Sequence, residues 1–233
     1  MIHTSRRGPG TTFFIYMVDH PGDMFDLYVV TDSGLSRGRT DAETAALAYE
    51  GGADVVQLRM KHADGRAMLE QAELIRRKAD EMCRFFIVND RVDIAIASGA
   101  DGVHLGQDDI PVEVARDLMG ESAIIGVSVH DVAEAVAAVD GGADYLGVGS
   151  IFNTSTKPDA KQALGLDPIV EIKSAVDVPV VAIGGINRGN IQDVIRAGAD
   201  SAAVVSAVVA QDDVRTAAHE LRDLILKVRP HVP

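Results

Sequence analysis

Apolar residues in this chain fall in short runs, and the same polar signature precedes four of them. Gly52-Ala53-Asp54 leads into Val55-Val56-Gln57-Leu58, and Gly99-Ala100-Asp101 into Gly102-Val103-His104-Leu105. Gly142-Ala143-Asp144 leads into Tyr145-Leu146-Gly147-Val148, and Gly198-Ala199-Asp200 into Ser201-Ala202-Ala203-Val204-Val205. Successive aspartates of the signature lie 47, 43 and 56 residues apart. Strands of about 5 residues, helices of about 11 and short loops fit two βα units into each interval. Glycine suits the position just past a helix C-terminus, where the left-handed turn needs no Cβ. The signature therefore marks a helix ending and a buried strand beginning. Four quarters of two units predict a single (βα)8 TIM barrel.

The apolar runs place strands at 27–31, 55–59, 85–89, 102–105, 124–127, 145–149, 180–183 and 202–205. Pro179 stands just before the seventh, where its missing N–H costs the ladder least. Between strands the apolar spacing approaches 3.6. Over the second helix it turns Leu69, Ala72, Leu74 and Ile75 inward and Arg76, Arg77 and Lys78 outward. Pro111 suits a first helical position, and Asn187 and Asn190 suit the start of the seventh helix. Residues 25–233 are expected to form the barrel, and residues 1–24, outside the repeat, an N-terminal extension.

Composition narrows the classes. A length of 233 residues suits one barrel, since such domains run to about 250. The net charge of −13 argues against nucleic-acid or anionic-membrane partners, because phosphate backbones attract Lys and Arg. Cys83 is the only cysteine, so no intrachain disulfide forms and a secreted disulfide scaffold is not expected. It is expected to be a small buried residue before the third strand. No apolar run approaches the roughly 18 residues of a membrane helix. The short run at 13–18 behind Arg6-Arg7 is a poor signal peptide, and a cytoplasmic location is expected. Homo-oligomerisation is left open.

In such barrels the chemistry sits at the C-terminal ends of the strands. Alternation places Gln57, Arg59 and Lys61 on one side of the second strand and its extension. Arg offers a planar fork to phosphate oxygens and Lys a point charge; a structural ion pair with Asp or Glu is the other reading. Asp90 and Asp109 stand on neighbouring strand ends. They either pair with those cations or hold Mg²⁺, which takes one or two carboxylates plus waters and substrate phosphates. Asp108 is the weaker candidate. Gly184-Gly185, after the seventh strand, lets backbone N–H groups approach an anion or simply makes a tight turn. Thr154, Ser155 and Thr156 add hydroxyls and Lys157 a further cation. The substrate class implied is a diphosphate ester with a second phosphate-bearing small molecule.

Several motifs occur in order: Gln57-Leu58-Arg59-x-Lys61, Asn89-Asp90-Arg91, His104-Leu105-Gly106-Gln107-Asp108-Asp109, Gly126-Val127-Ser128, Thr154-x-Thr156-Lys157, Gly184-Gly185-Ile186 and Val205-Ser206-Ala207. Together they resemble the thiamine-phosphate synthase family over residues 25–228. The resemblance implies an Mg²⁺-assisted transferase joining 4-amino-2-methyl-5-pyrimidinylmethyl diphosphate to a thiazole phosphate, with the diphosphate leaving first. It assigns Gln57, Leu58, Arg59, Met60, Lys61, Asn89, Ser128 and Lys157 to the pyrimidine diphosphate. Arg59, Lys61, Ser128 and Lys157 would be catalytic, and Asp90 and Asp109 would hold the metal. Thr154, Ser155, Thr156, Gly185, Val205 and Ser206 would cradle the thiazole phosphate. Two departures stand out: Met60 where the family usually has Glu, and Asn153 where it commonly has Pro. Competing readings are a thiazole tautomerase, a sugar-phosphate epimerase or isomerase, and a non-catalytic sensor of a phosphorylated metabolite. Tautomerases typically lose the Gly-Gln-Asp-Asp stretch, which here is intact.

Overall fold

In a computed structural model, which describes residues 25–154 and 163–229, the short apolar runs form eight strands. These are β1 Leu27–Val30, β2 Val55–Leu58, β3 Phe85–Asn89, β4 Gly102–Leu105, β5 Ile124–Val129, β6 Tyr145–Val148, β7 Val180–Ile183 and β8 Ser201–Val204. The described helices are α1 Asp41–Glu50, α2 Gly65–Met82, α3 Val92–Ser98, α4 Val112–Met119, α5 Val132–Asp140, α6 Asp167–Ala175, α7 Ile191–Arg196, α8 Ser206–Val209 and α9 Val214–Leu226. All strands pair in parallel and in sequence order, and β8 closes onto β1. The expected (βα)8 barrel is the fold. Strand ends differ from expectation by a residue or two. The largest difference is at β5, which runs on through Ser128 and Val129. The expected extension 1–24 lies outside the described residues, as do Ser155, Thr156 and Lys157.

Strand alternation divides the apolar residues between two cores. The outer one, between strands and helices, holds Leu27, Val29, Val56, Leu58, Phe86, Val88 and their partners. The inner one holds Phe25, Tyr28, Val30, Val55, Ile87, Tyr145, Val181 and Ala203. The inside of the barrel is thus filled, and a ligand is left only the upper rim.

The four repeat aspartates explain why the signature recurs every second strand. Asp54 Oδ2 accepts from the backbone N of Leu27 at 3.2 Å, and Asp101 Oδ2 from that of Phe86 at 2.8 Å. Asp144 Oδ2 accepts from Ile125 N and Asp200 Oδ2 from Val180 N, each at 2.7 Å. Each carboxylate, standing just before an even strand, thereby satisfies the first N–H groups of the preceding odd strand. Each is also paired with a cation: Asp54 with Arg84, Asp101 with Arg76, Asp144 with Arg116 and Asp200 with Lys173. The signature glycines 52, 99, 142 and 198 have φ of +99°, +67°, +97° and +104°, the left-handed turn that their position requires.

Four expectations are corrected, wholly or in part. Cys83 is exposed; it closes α2 in the left-handed conformation at φ +53°, which turns it away from the core. On α2 the buried face is Met68, Ala72, Ile75, Arg76 and Ala79, while Leu74 is exposed. Arg76 turns inward because Asp101 and Asp80 are there to receive it. Asn190 stands at the N-cap of α7 as expected, but its side chain makes no capping bond, and its amide bonds to Gly185 instead. Pro111 precedes α4 by one residue rather than opening it. Among the described residues no helix is long and apolar enough to cross a membrane.

Asp101→Ala leaves the Phe86 N–H and the buried Arg76 guanidinium short of an acceptor. It is expected to lower unfolding stability by about 2–4 kcal/mol in urea titration. A loss under about 0.5 kcal/mol, the scale of an ordinary surface change, would show that the clamp is dispensable.

Candidate active site

The strand ends and the loops after them surround a cavity of about 520 Å³ at the upper rim of the barrel. Gln57, Arg59, Lys61, Asn89, Asp90, Asp109, Ser128, Thr154, Gly185, Val205 and Ser206 all line it, drawn together from most of the strand ends. Leu58 and Met60 do not. Leu58 is fully buried in the outer core and Met60 packs against it, as alternation about Arg59 dictates. Their side chains are thus not brought to the cavity with those of Gln57, Arg59 and Lys61. Asp108, the weaker candidate, also reaches the lining, with His130 and Glu134 beside it. His130 Nδ1 and Glu134 Oε2 are 2.8 Å apart.

The cations keep partial partners. Arg59 Nη1 lies 3.4 Å from Asp32 Oδ2, and the Arg59 backbone N donates to Thr31 Oγ1 at 3.2 Å. Lys61 Nζ lies 3.3 Å from Asp90 Oδ2. Both ion pairs are long, so each cation retains donors for an incoming anion. The ion-pair reading of these residues is thus met, with Asp32 and Asp90 as the partners.

Asp90 follows β3 with φ +63°, a conformation Asp tolerates better than most residues. Its backbone N donates to the His104 carbonyl at 2.8 Å, which ties it to β4. Asp109 is held from its own loop, where Oδ2 accepts from Gly106 N at 2.7 Å. The two carboxylates come within hydrogen-bonding reach of each other. Burial first, and then the Asp109 charge, push the Asp90 carboxyl above its ordinary value, against a smaller opposing pull from Lys61. Two hard oxygen donors this close, disfavoured when both are ionised, suit a small divalent cation that completes its shell with water and phosphate. Among the described residues no group of three or more His, Cys, Asp or Glu gathers as a metal cage.

The opposite wall is backbone-rich. Ile151 N and Phe152 N donate to the carbonyls of Ile183 and Gly184 at 2.9 and 3.0 Å, laying the loop after β6 on the end of β7. A Cβ on Gly185 would come 2.6 Å from the Asn153 carbonyl, and its φ is +65°. Gly184-Gly185 thus allows two loops to meet while lining the cavity. The Gly185 carbonyl is pinned by Asn187 Nδ2 at 3.0 Å and Asn190 Nδ2 at 3.1 Å.

Below the rim runs a polar chain that joins two expected residues, Gln57 and Ser128, through three that were not expected, Tyr28, Tyr145 and His104. Gln57 Nε2 donates to Tyr28 Oη at 2.8 Å, and Tyr28 Oη meets Tyr145 Oη at 3.0 Å. His104 Nδ1 meets Tyr145 Oη, and its Nε2 meets Ser128 Oγ, both at 2.9 Å. Tyr28, His104 and Tyr145 all line the cavity. A signal existed: two tyrosines at inward positions among Val, Ile and Ala, each bringing a hydroxyl that needs a partner when buried.

Comparison with known proteins follows the same strand ends. The family model described as thiamine monophosphate synthase matches residues 27–208. The thiamine-phosphate synthase of Chloroflexus aurantiacus is 57% identical over 199 residues, covering 85% of this chain and 92% of that one. That of Methanoculleus marisnigri is 52% identical over 201 residues, covering 86% and 95%. The solved structure of thiamine phosphate pyrophosphorylase from Pyrococcus furiosus superposes with a TM-score of 0.82 at 42% identity, covering 89% of this chain and 98% of that one.

Because the Asp109 charge helps to raise Asp90, Asp109→Asn is expected to shift the Asp90 titration to lower pH in the metal-free protein, read from carboxyl ¹³C shifts. Burial remains, so the value stays above that of a free aspartate. An Asp90 titration unmoved by the substitution would contradict the pairing.

Proposed function

This chain belongs to the thiamine monophosphate synthase family, and on that premise we propose how its rim performs the family's transfer. The enzyme is a transferase that joins 4-amino-2-methyl-5-pyrimidinylmethyl diphosphate to a thiazole phosphate, giving thiamine phosphate and pyrophosphate. The observation that carries the division of labour is the polarity of the cavity. Arg59, Lys61, Asp90 and Asp109 line one side, and Thr154, Gly185, Val205 and Ser206 another. Two phosphorylated small molecules need two such areas.

In this reading Gln57, Asn89 and Ser128 hold the pyrimidine, while Arg59, Lys61 and Lys157 take the diphosphate. Lys157, Ser155 and Thr156 enter on sequence position alone, just after Thr154. Thr154, Ser155, Thr156, Gly185, Val205 and Ser206 receive the thiazole phosphate. Asp90 and Asp109 hold Mg²⁺, which when bound neutralises charge on the diphosphate. As the C–O bond to the pyrimidinylmethyl carbon breaks, negative charge gathers on the departing oxygen. Fixed cations stabilise that charge more in the transition state than in the ground state. The thiazole nitrogen brings its own lone pair to the carbon, so no protein base has to act at that step. The unit that performs this is the barrel from residue 25 onward, with residues 1–24 as an extension to it.

Asp109→Ala is expected to abolish Mg²⁺-dependent turnover while the circular dichroism spectrum is kept. In parallel, Lys157→Ala should slow single-turnover diphosphate release by about 10²-fold, the scale of one preorganised charge-stabilising group. Wild-type rates in either variant would overturn the corresponding role.

A further inference from the structure

The polar chain beneath the rim has a direction, and that direction fixes what its two ends offer a ligand. It crosses the barrel from Gln57 on β2, through Tyr28 on β1, to Tyr145 on β6, His104 on β4 and Ser128 on β5. Tyr28 and Tyr145 are both buried. Because Gln57 Nε2 donates to the Tyr28 oxygen, the Tyr28 proton must go to its other neighbour, Tyr145 Oη. With Nε2 facing Tyr28 the reverse sense would leave that proton without an acceptor; the chain reverses only if the Gln57 carboxamide turns Oε1 to Tyr28. The Tyr145 proton then goes to His104 Nδ1. A neutral imidazole carries one N–H, so His104 bears it on Nε2 and donates to Ser128 Oγ. Ser128 keeps its own proton for the cavity, and Gln57 keeps its Oε1.

The barrel is shaped to hold this chain. Gly126 lies between His104 and Tyr145 in the strand register, and a Cβ there would come 2.0 Å from Tyr145 Cζ. Gly147 lies beside Ser128, and a Cβ there would come 2.8 Å from His104 Cε1. A side chain at either glycine would displace the ring that links the two halves.

We propose that Tyr28, Tyr145 and His104 are positioning residues forming a one-way hydrogen-bond relay that presents Gln57 as an acceptor and Ser128 as a donor. This pair selects an aminopyrimidine over its oxo counterpart. The inference rests on the synthase reading for the identity of the ligand and on the geometry alone for the polarity. An aminopyrimidine has an exocyclic N–H donor and a ring-nitrogen acceptor; the 4-oxo compound inverts both. The relay discriminates because neither end can turn over alone: every link and the His104 tautomer have to reverse together.

Two measurements test the relay separately. In the ligand-free wild-type protein, imidazole ¹⁵N shifts are expected to place the His104 proton on Nε2; a proton on Nδ1 would overturn the direction. Calorimetric binding of the 4-amino and 4-oxo pyrimidinylmethyl diphosphates is expected to favour the amino compound by on the order of 10²-fold in wild type. Tyr28→Phe cuts the chain without touching either end residue. It is expected to reduce that preference to under about 10-fold and leave thiazole phosphate affinity unchanged, with Tyr145→Phe as the second variant should the first fold poorly. A preference kept at its wild-type value in a folded variant would overturn the relay. If the wild type binds neither diphosphate, the synthase reading and the ligand match fall together, while the Nε2 proton still establishes the polarity.

Discussion

One repeated interaction organises the molecule: a carboxylate that accepts a backbone N–H at the start of one strand while preceding the next. Parallel strands cannot close with a two-residue turn, so every junction at the lower rim leaves strand-start amides in need of partners. Asp54, Asp101, Asp144 and Asp200 supply them pairwise, each neutralised by a neighbouring cation. The lower rim is thereby charged, with its carboxylates paired. Polar residues at the upper rim are satisfied only in part: Arg59 and Lys61 rest on long ion pairs, and Asp90 crowds Asp109. The contrast separates the end that holds the barrel together from the end that binds.

The interior continues that logic. Most inward positions are Val, Ile or Ala, and one layer is given to two tyrosines and a histidine with two glycines making room. Such a layer is more costly to build than an apolar one, since each hydroxyl must find a partner away from water. Its chain of bonds ends at two cavity residues, so the arrangement rigidifies the floor on which a ligand ring would lie.

The fold was legible because the clamp has a sequence form. Gly-Ala-Asp recurs at the lower rim for one geometric reason, and the strands follow it. The rim residues were legible through parity: Gln57, Arg59 and Lys61 alternate, and the structure turns all three into the cavity. Parity also explains why Leu58 and Met60 fall outside it, although the motif carries them along. Arg76 was misread because an outward charge is the usual rule for helices, and only the tertiary partner Asp101 overrides it. Cys83 was misread because burial is typical of free cysteine, whereas a left-handed helix end faces it outward. The Tyr28–Tyr145–His104 chain was hidden because its members are far apart in sequence, meeting only when β1, β6 and β4 face each other across the barrel.

The central claim is that two phosphate-binding areas on one rim, with Mg²⁺ at Asp90 and Asp109, couple diphosphate departure to thiazole capture. The most direct measurement incubates the protein with the pyrimidine diphosphate and the thiazole phosphate, with Mg²⁺ or with EDTA, and quantifies both products. The account predicts thiamine phosphate and pyrophosphate in equal amounts, and only with Mg²⁺. Undiminished product in EDTA, or pyrophosphate released without thiamine phosphate, would contradict it.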